Sequence, residues 1–378
     1  MASEAKKIAG KLDLIRGVAV LTLILYIAVA LVMNSSYLTV DRLMRLRSDV
    51  IYALQNTSQG GTVRLEPVEQ PKVALFQDGT AVLTRNGISV YGNDGNLYST
   101  HVLQYKQPRI KVCGQYILCF DRGGTGWTLL NSFRVVAQGT EAGSITNGSL
   151  SEDGYVAIAA ERAEYKGSVT VYNTDGVALA RWNADSYLLD SFFTEKNRLT
   201  VVSLVSRKEN ADTVFTVFNY RKGETERSIT STGMFPLSLA MKQDGSVEIL
   251  TDRGIHSFDG DAVSLRYSYP DAFPSLCSQG EDATLISFPS GSSGVLVRGL
   301  SPEGSVLFSA TYPKVLSMGT YRDLFFVLTG DTLFVLDRSG TVLQEIPAEA
   351  ALQVLVSPEI SVLVRNDSFS RLDLSQIG

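Results

Sequence analysis
From Lys72 to its C-terminus the chain repeats one phrase eight times, with a period of roughly 35 to 48 residues. In each unit an apolar run ends in a tight polar turn, and a second apolar run answers it. A loop follows, then a third run that ends at a turn closed by Gly. The first turns read Gln77-Asp78-Gly79, Cys113-Gly114-Gln115, Glu152-Asp153-Gly154, Lys196-Asn197-Arg198, Gln243-Asp244-Gly245, Glu281-Asp282, Tyr321-Arg322-Asp323 and Ser357-Pro358-Glu359. A strand-like run follows each, for example Ala81-Val82-Leu83 or Leu324-Phe325-Phe326-Val327. Asp-Gly pairs tolerate positive φ and so favour tight hairpins, while β-branched and aromatic residues favour pleated strands. The second turn recurs at Val90 to Gly95, Val171 to Gly176, Val217 to Gly223 and Val335 to Gly340, with variants at Ser257 to Gly260 and Leu300 to Gly304. Helical periodicity is absent from this region, which excludes the helical solenoids. The spacing predicts an all-β, eight-bladed β-propeller.

The last unit, from Leu352 onward, supplies only about three strands before the chain ends. Thr62-Val63-Arg64-Leu65-Glu66, just upstream of the first unit, is placed to complete that blade and so hide the unpaired edges of an open array. A seven-bladed ring is the alternative, because the second unit is short.

The net charge is −5; residues 1–16 contribute +2 (Lys6, Lys7, Lys11 and Arg16 against Glu4 and Asp13), leaving −7 for the remainder. A mildly acidic propeller argues against nucleic acid as a partner. Gly17 to Met33 carries no charge, and at about 1.5 Å per residue it just spans a bilayer core. Basic residues precede it, so the N-terminus is expected in the cytoplasm and the propeller outside. Ala28-Val29-Ala30 also resembles a signal-peptidase site, with cleavage after Ala30, but apolar Leu31-Val32-Met33 continues past it and favours an uncleaved anchor. Tyr37 to Asn56 reads as a short helix with Leu43, Leu46, Val50 and Leu54 on one side, and Gln55 to Gly61 as a hinge. The expected organisation is therefore a basic tail (1–16), a transmembrane anchor (17–36), a helical stalk and hinge (37–61) and an extracytoplasmic propeller (62–378).

The residues offer little chemistry. Three cysteines exclude a complete disulfide framework, and Cys113, Cys119 and Cys277 read as buried thiols. The two histidines, His101 and His256, sit on blades far apart in sequence, with no cluster of metal-ligand spacing around them, so no metal and no cofactor is expected. No Gly-x-Ser-x-Gly elbow precedes a helix, and the Asp-Gly turns lack the spaced oxygens of an EF-hand. Asp121 to Trp127 superficially resembles an Asp-box turn but lacks the leading Ser and does not repeat. One pattern stands out. The segments joining the second and third strands, which share one face of any propeller, hold Arg85, Arg122, Arg162, Arg207, Arg253 and Arg365. Asp121, Glu161, Asp252 and Asp367 are their acidic neighbours. A ring of arginines suits anionic or carboxylate-bearing ligands; the plainer alternative is that each Arg pairs within its own turn, where exposed ion pairs contribute little.

A basic N-terminus, one anchor, a short stalk and a propeller with a Phe120-Asp121-Arg122-Gly123-Gly124 turn resemble a family of membrane-anchored propeller proteins of clostridial Gram-positive bacteria, classed as a domain of unknown function. The resemblance spans nearly the full length and implies an extracytoplasmic, eight-bladed propeller, with no active-site residues to carry over. More distantly the chain is similar to propeller scaffolds related to quinoprotein and WD-like repeats. The expected function is a non-catalytic binding or scaffold module for a protein partner or an anionic cell-envelope polymer, with the bilayer engaged through 17–36. Two alternatives stand beside it. One is a propeller-type glycan hydrolase or lyase using Glu161, Glu164, Glu209 and Asp212 in two long loops; the other is a ligand-binding sensor.

Overall fold
The computed structural model describes residues 22, 40–55, 62–65, 71–77, 79–195, 197–206, 211–269, 273–291, 294–357 and 360–372. The anchor expected at 17–36, apart from Thr22, and the hinge at 56–61 lie outside the described residues. The chain divides into two units, 1–55 and 56–378. In the first, Val40–Gln55 is a helix in which Asp41 and Arg45, one turn apart, form a buried ion pair at 3.0 Å, while Leu43, Leu46 and Val50 are exposed. Among the described residues no helix is long and apolar enough to cross a membrane.

The second unit is eight antiparallel sheets of four strands each, which settles the blade count at eight rather than seven. Blades I to VII run 72–102, 108–140, 145–184, 187–232, 236–268, 276–312 and 317–347. Blade VIII takes three strands from the C-terminus (Ala351–Val356, Ser361–Arg365, Ser368–Arg371) and its fourth from the N-terminal side, Thr62–Arg64. Thr62 pairs with Ser370 and Arg64 with Ser368, and the Leu65 amide donates to the Asp367 carbonyl at 2.6 Å. The ring closes through side chains as well: Val73 and Val82 of blade I pack with Val362, Val364 and Phe369 of blade VIII.

Why the strands form where they do follows from burial. Second strands are covered on both faces and are mostly apolar, as in Gly79–Leu83, Tyr116–Asp121 and Leu324–Leu328. Fourth strands border solvent and are mostly polar, as in Glu224–Thr232. The core therefore lies in the seams between blades rather than at one centre. Phe120 and Trp127 of blade II, for example, pack with Ile145 and Ile158 of blade III. Six of the first turns place a residue at positive φ: Gln77, Gly114, Gly154, Asn197, Gly245 and Arg322. Gly139 answers a different demand. It stands opposite Trp127 on the outer strand, and a Cβ there would come within 2.7 Å of the indole.

Antiparallel succession gives every blade the same sense. First strands run from the loop face, which carries the joins between second and third strands, to the turn face, which carries the first and second turns. The strand Thr62–Arg64 accordingly begins on the turn face, and Ser368–Arg371 ends there.

Candidate functional site
First strands of neighbouring blades contact one another and line the channel. Chemistry available to a ligand therefore sits on these strands and at their two ends. On the turn face two open cavities adjoin. One, of about 610 Å³, spans blades V to VIII, with Gln279, Glu281, Thr320 and Arg322 above Val354 and Val356. The other, of about 520 Å³, spans blades II to V and includes Glu152, Tyr155, Phe193, Tyr220 and Arg221. Gln243 borders both.

The wall of the second cavity is aromatic and fixed. The Tyr220 ring lies 5.7 Å from Tyr155 and 5.9 Å from Phe193, and an Arg221 guanidinium N–H donates to the Tyr155 hydroxyl at 2.9 Å. Burial, helped by the neighbouring Tyr155, holds the Tyr220 hydroxyl above its ordinary pKa. Between the two cavities, an ion pair of blade V is hydrogen-bonded to blade VI. Lys242 Nζ stands 3.5 Å from the Glu248 carboxylate, their side chains only 11% and 10% exposed, and it also donates to the Gly280 carbonyl. Thr284 Oγ1 donates to Glu248 at 2.7 Å, and the Gln243 amide donates to Glu281 at 2.7 Å.

Deeper in the ring, Asn147 of blade III donates to Asp190 of blade IV at 2.8 Å, and the Ser149 and Ser191 hydroxyls meet at 2.7 Å. Burial raises the Asp190 carboxyl above the ordinary range, opposed by the nearby charge of Lys111.

The described arginines among those singled out by position share the loop face but not one set of partners. Arg85 and Arg122 are exposed on their turns. Arg162 closes the strand Val156–Arg162 and borders a cavity of about 310 Å³ with Tyr165, Lys166 and Tyr187. Arg253 is exposed and 3.8 Å from the carboxylate of its neighbour Asp252. Arg365 donates to the Glu349 carbonyl at 3.2 Å and to the Ser370 hydroxyl at 2.9 Å. Arg207 lies outside the described residues, as does Glu209. Glu161 and Glu164 sit exposed on a two-residue hairpin, not a long loop. Asp212 is corrected outright: it belongs to the strand Ala211–Asn219 and is 1% exposed, because the strands of blade IV run to nine residues and carry the hairpin past the expected loop. A grouping missed by the sequence reading lies beside Arg122, where Lys72 and Arg109 begin the first strands of blades I and II. The signal was present in Gln70-Pro71-Lys72 and Gln107-Pro108-Arg109, the same phrase one blade apart.

The three cysteines are free thiols. Burial pushes Cys113 up to about 11 and Cys277 up to about 12, and raises Cys119 as well. Among the described residues no group of three or more His, Cys, Asp or Glu side chains could hold a metal ion.

Residues 54–265, from before the closing strand into the outer strand of blade V, match the family described as "Family of unknown function (DUF5711)". The chain belongs to that family. No protein of curated function matches this DUF5711 chain. Solved structures similar to it include the computationally designed protein Ika8, at TM-score 0.59 and 14% identity, covering 83% of this chain and 99% of that one. Sqt1 of Saccharomyces cerevisiae aligns at TM-score 0.57 and 12% identity, covering 84% and 100%. The dihydro-heme d1 dehydrogenase NirN in complex with DHE aligns at TM-score 0.56 and 13% identity, covering 80% and 72%. At such identities the likeness is one of fold, shared by designed, eukaryotic and redox proteins alike.

Proposed function
We propose that this protein is a non-catalytic binding module, displayed on the outer side of a membrane by the segment 17–36, which grips a protein partner at the turn face of its propeller. The observation that carries the reading is the pair of adjoining cavities bordered by Gln243. Each has an apolar element, Val354 and Val356 in one and Phe193 and Tyr220 in the other, under a rim of Glu152, Glu195, Glu281 and Arg322. An apolar centre within a charged rim is the anatomy of a protein interface. Their combined extent, from blade II to blade VIII, exceeds a single small ligand and suits a folded segment. The inner polar side chains support the same reading, since Asn147 bonds Asp190 across blades III and IV, and Lys242 and Glu248 of blade V bond Gly280 and Thr284 of blade VI.

The test is site-specific photocrosslinking in living cells of the producing organism, from a photoreactive residue at Gln243 and, as control, at exposed Ser264 on the outer strand Val263–Ser268. One discrete protein captured from Gln243 and absent from Ser264 is the expected result. Equal capture from both positions, or capture of glycan alone, overturns it. Protection of the propeller from protease added outside intact cells would overturn the outward display.

A further inference from the structure
The loop-face ends of the first strands in blades I and II bring together charges that the fold does not neutralise. Pro108 stands opposite Asp121 and Arg109 opposite Phe120, so the turn that begins with Arg122 lies beside the start of its neighbouring strand. The Arg122 amide donates to the Gln107 carbonyl at 3.0 Å. From the next blade, Lys72 Nζ donates to the Pro108 carbonyl. Three cationic residues thus meet at the short segment 107–109: Arg109 within it, Arg122 bonded to it through its backbone amide, and Lys72 of blade I through its ammonium.

Among the described residues none of the three forms an ion pair. The acid on the same turn, Asp121, is buried and its Oδ1 accepts the Gln107 amide at 2.7 Å. The Arg109 Nε is buried and has no hydrogen-bond partner. Burial first, and then the charges of Arg109 and Arg122, pull the Lys72 amine below its ordinary pKa. Repelling cations gathered at one seam weaken a fold, and an orphaned guanidinium N–H weakens it further. The arrangement becomes favourable once an anion sits among them.

We propose that the loop-face rim of blades I and II, where Lys72, Arg109 and Arg122 come near one another, binds a phosphoryl group. Phosphate fits this set better than carboxylate does. Its several terminal oxygens can meet two guanidinium forks and an ammonium at once, and a dianion offsets two of the three charges. The site goes beyond the turn-face reading and stands or falls separately from it, because it lies at the opposite ends of the first strands.

The test is calorimetric titration of the full-length chain in detergent, in a phosphate-free buffer, with inorganic phosphate. Saturable binding at one site is expected, weakened about tenfold or more by Arg109→Gln, and less by Arg109→Lys, which keeps the charge but loses the fork. Acylation of Lys72, followed by peptide mass spectrometry, locates the site: phosphate slows it in the wild-type chain and not in Arg109→Gln. A glycerophosphate diester in place of inorganic phosphate separates the two sources. Equal or tighter binding of the diester points to a phosphate-linked polymer, and loss of binding to free phosphate; both uphold the site. Absence of saturable phosphate binding, or binding and protection unchanged in Arg109→Gln and Arg122→Ala, overturns it.

Discussion

The tie between blades V and VI lends itself to a quantitative test. Lys242 and Glu248 are about nine-tenths buried, 3.5 Å apart, and each carries one further bond, Lys242 to the Gly280 carbonyl and Glu248 from Thr284 Oγ1. Replacing Lys242 by Met strands a buried carboxylate with a single hydroxyl donor and leaves the Gly280 carbonyl without its ammonium. Removing one partner of a buried pair costs about 3–5 kcal/mol. The residual exposure of both groups places this pair near the lower end, at about 3 kcal/mol. Glu248→Leu alone should cost a similar amount. The double variant Lys242→Met/Glu248→Leu replaces both charges by apolar groups of comparable volume and should recover to within about 1 kcal/mol of wild type. The coupling energy of the cycle is then several kcal/mol, in the range seen for residues of one network. Urea unfolding of the full-length chain in detergent, followed by tryptophan fluorescence, reads this directly: at an m value of about 3 kcal/mol/M, each single variant shifts the midpoint by about 1 M. The reasoning is refuted if the single variants cost under about 1 kcal/mol, or if the double variant is as unstable as the worse single one.

Three further outcomes are expected. Gly139→Ala forces a methyl group against the buried Trp127 indole and should destabilise by about 1–3 kcal/mol, read as a fall in thermal midpoint with a shifted tryptophan emission. With thiol pKa values of about 11 for Cys113 and about 12 for Cys277, little thiolate exists at pH 8, so the native chain should react slowly with a disulfide reagent and release three equivalents once unfolded. Lys72 titrates below its ordinary value in the folded chain, so the unfolded chain holds that proton more tightly. Its contribution to stability therefore rises with pH through the window between the lowered folded value and 10.5. Arg122→Ala relieves one of the like charges; Lys72 should then acylate more slowly at pH 8, and a faster rate would contradict the charge crowding.

What the sequence made legible was whatever a repeat enforces locally. Every first turn, from Gln77 to Ser357, falls between a first and a second strand, because each needs its own hairpin chemistry regardless of the blade's neighbours. One second turn escaped notice, that of blade II, where Asn131 caps Phe133 and Arg134 through its side chain and no Gly closes the turn. Strand length was also hidden: the hairpin around Asp212 continues as paired strand where polar residues read as loop. The site was the least legible part. Lys72 and Arg109 meet because two blades abut, and Gln243 borders two cavities because the ring curves; neither relation is written within a single repeat. The described arginines do share a face, but Arg253 finds a partner on its own turn and Arg365 finds partners at Glu349 and Ser370.

The pairing of Thr62–Arg64 with Ser368–Arg371 also sets an order in time. Thr62–Arg64 precedes every other described strand in the chain, yet the strand it pairs with, Ser368–Arg371, follows all of them. Until then the first blade has no neighbour on one side, and Val73 and Val82 have nothing to pack against. A chain interrupted before Ala351 keeps seven blades of correct local structure and two open sheet edges. Those edges mark such a product for aggregation or degradation, so closure of the ring reports that synthesis has passed Arg371.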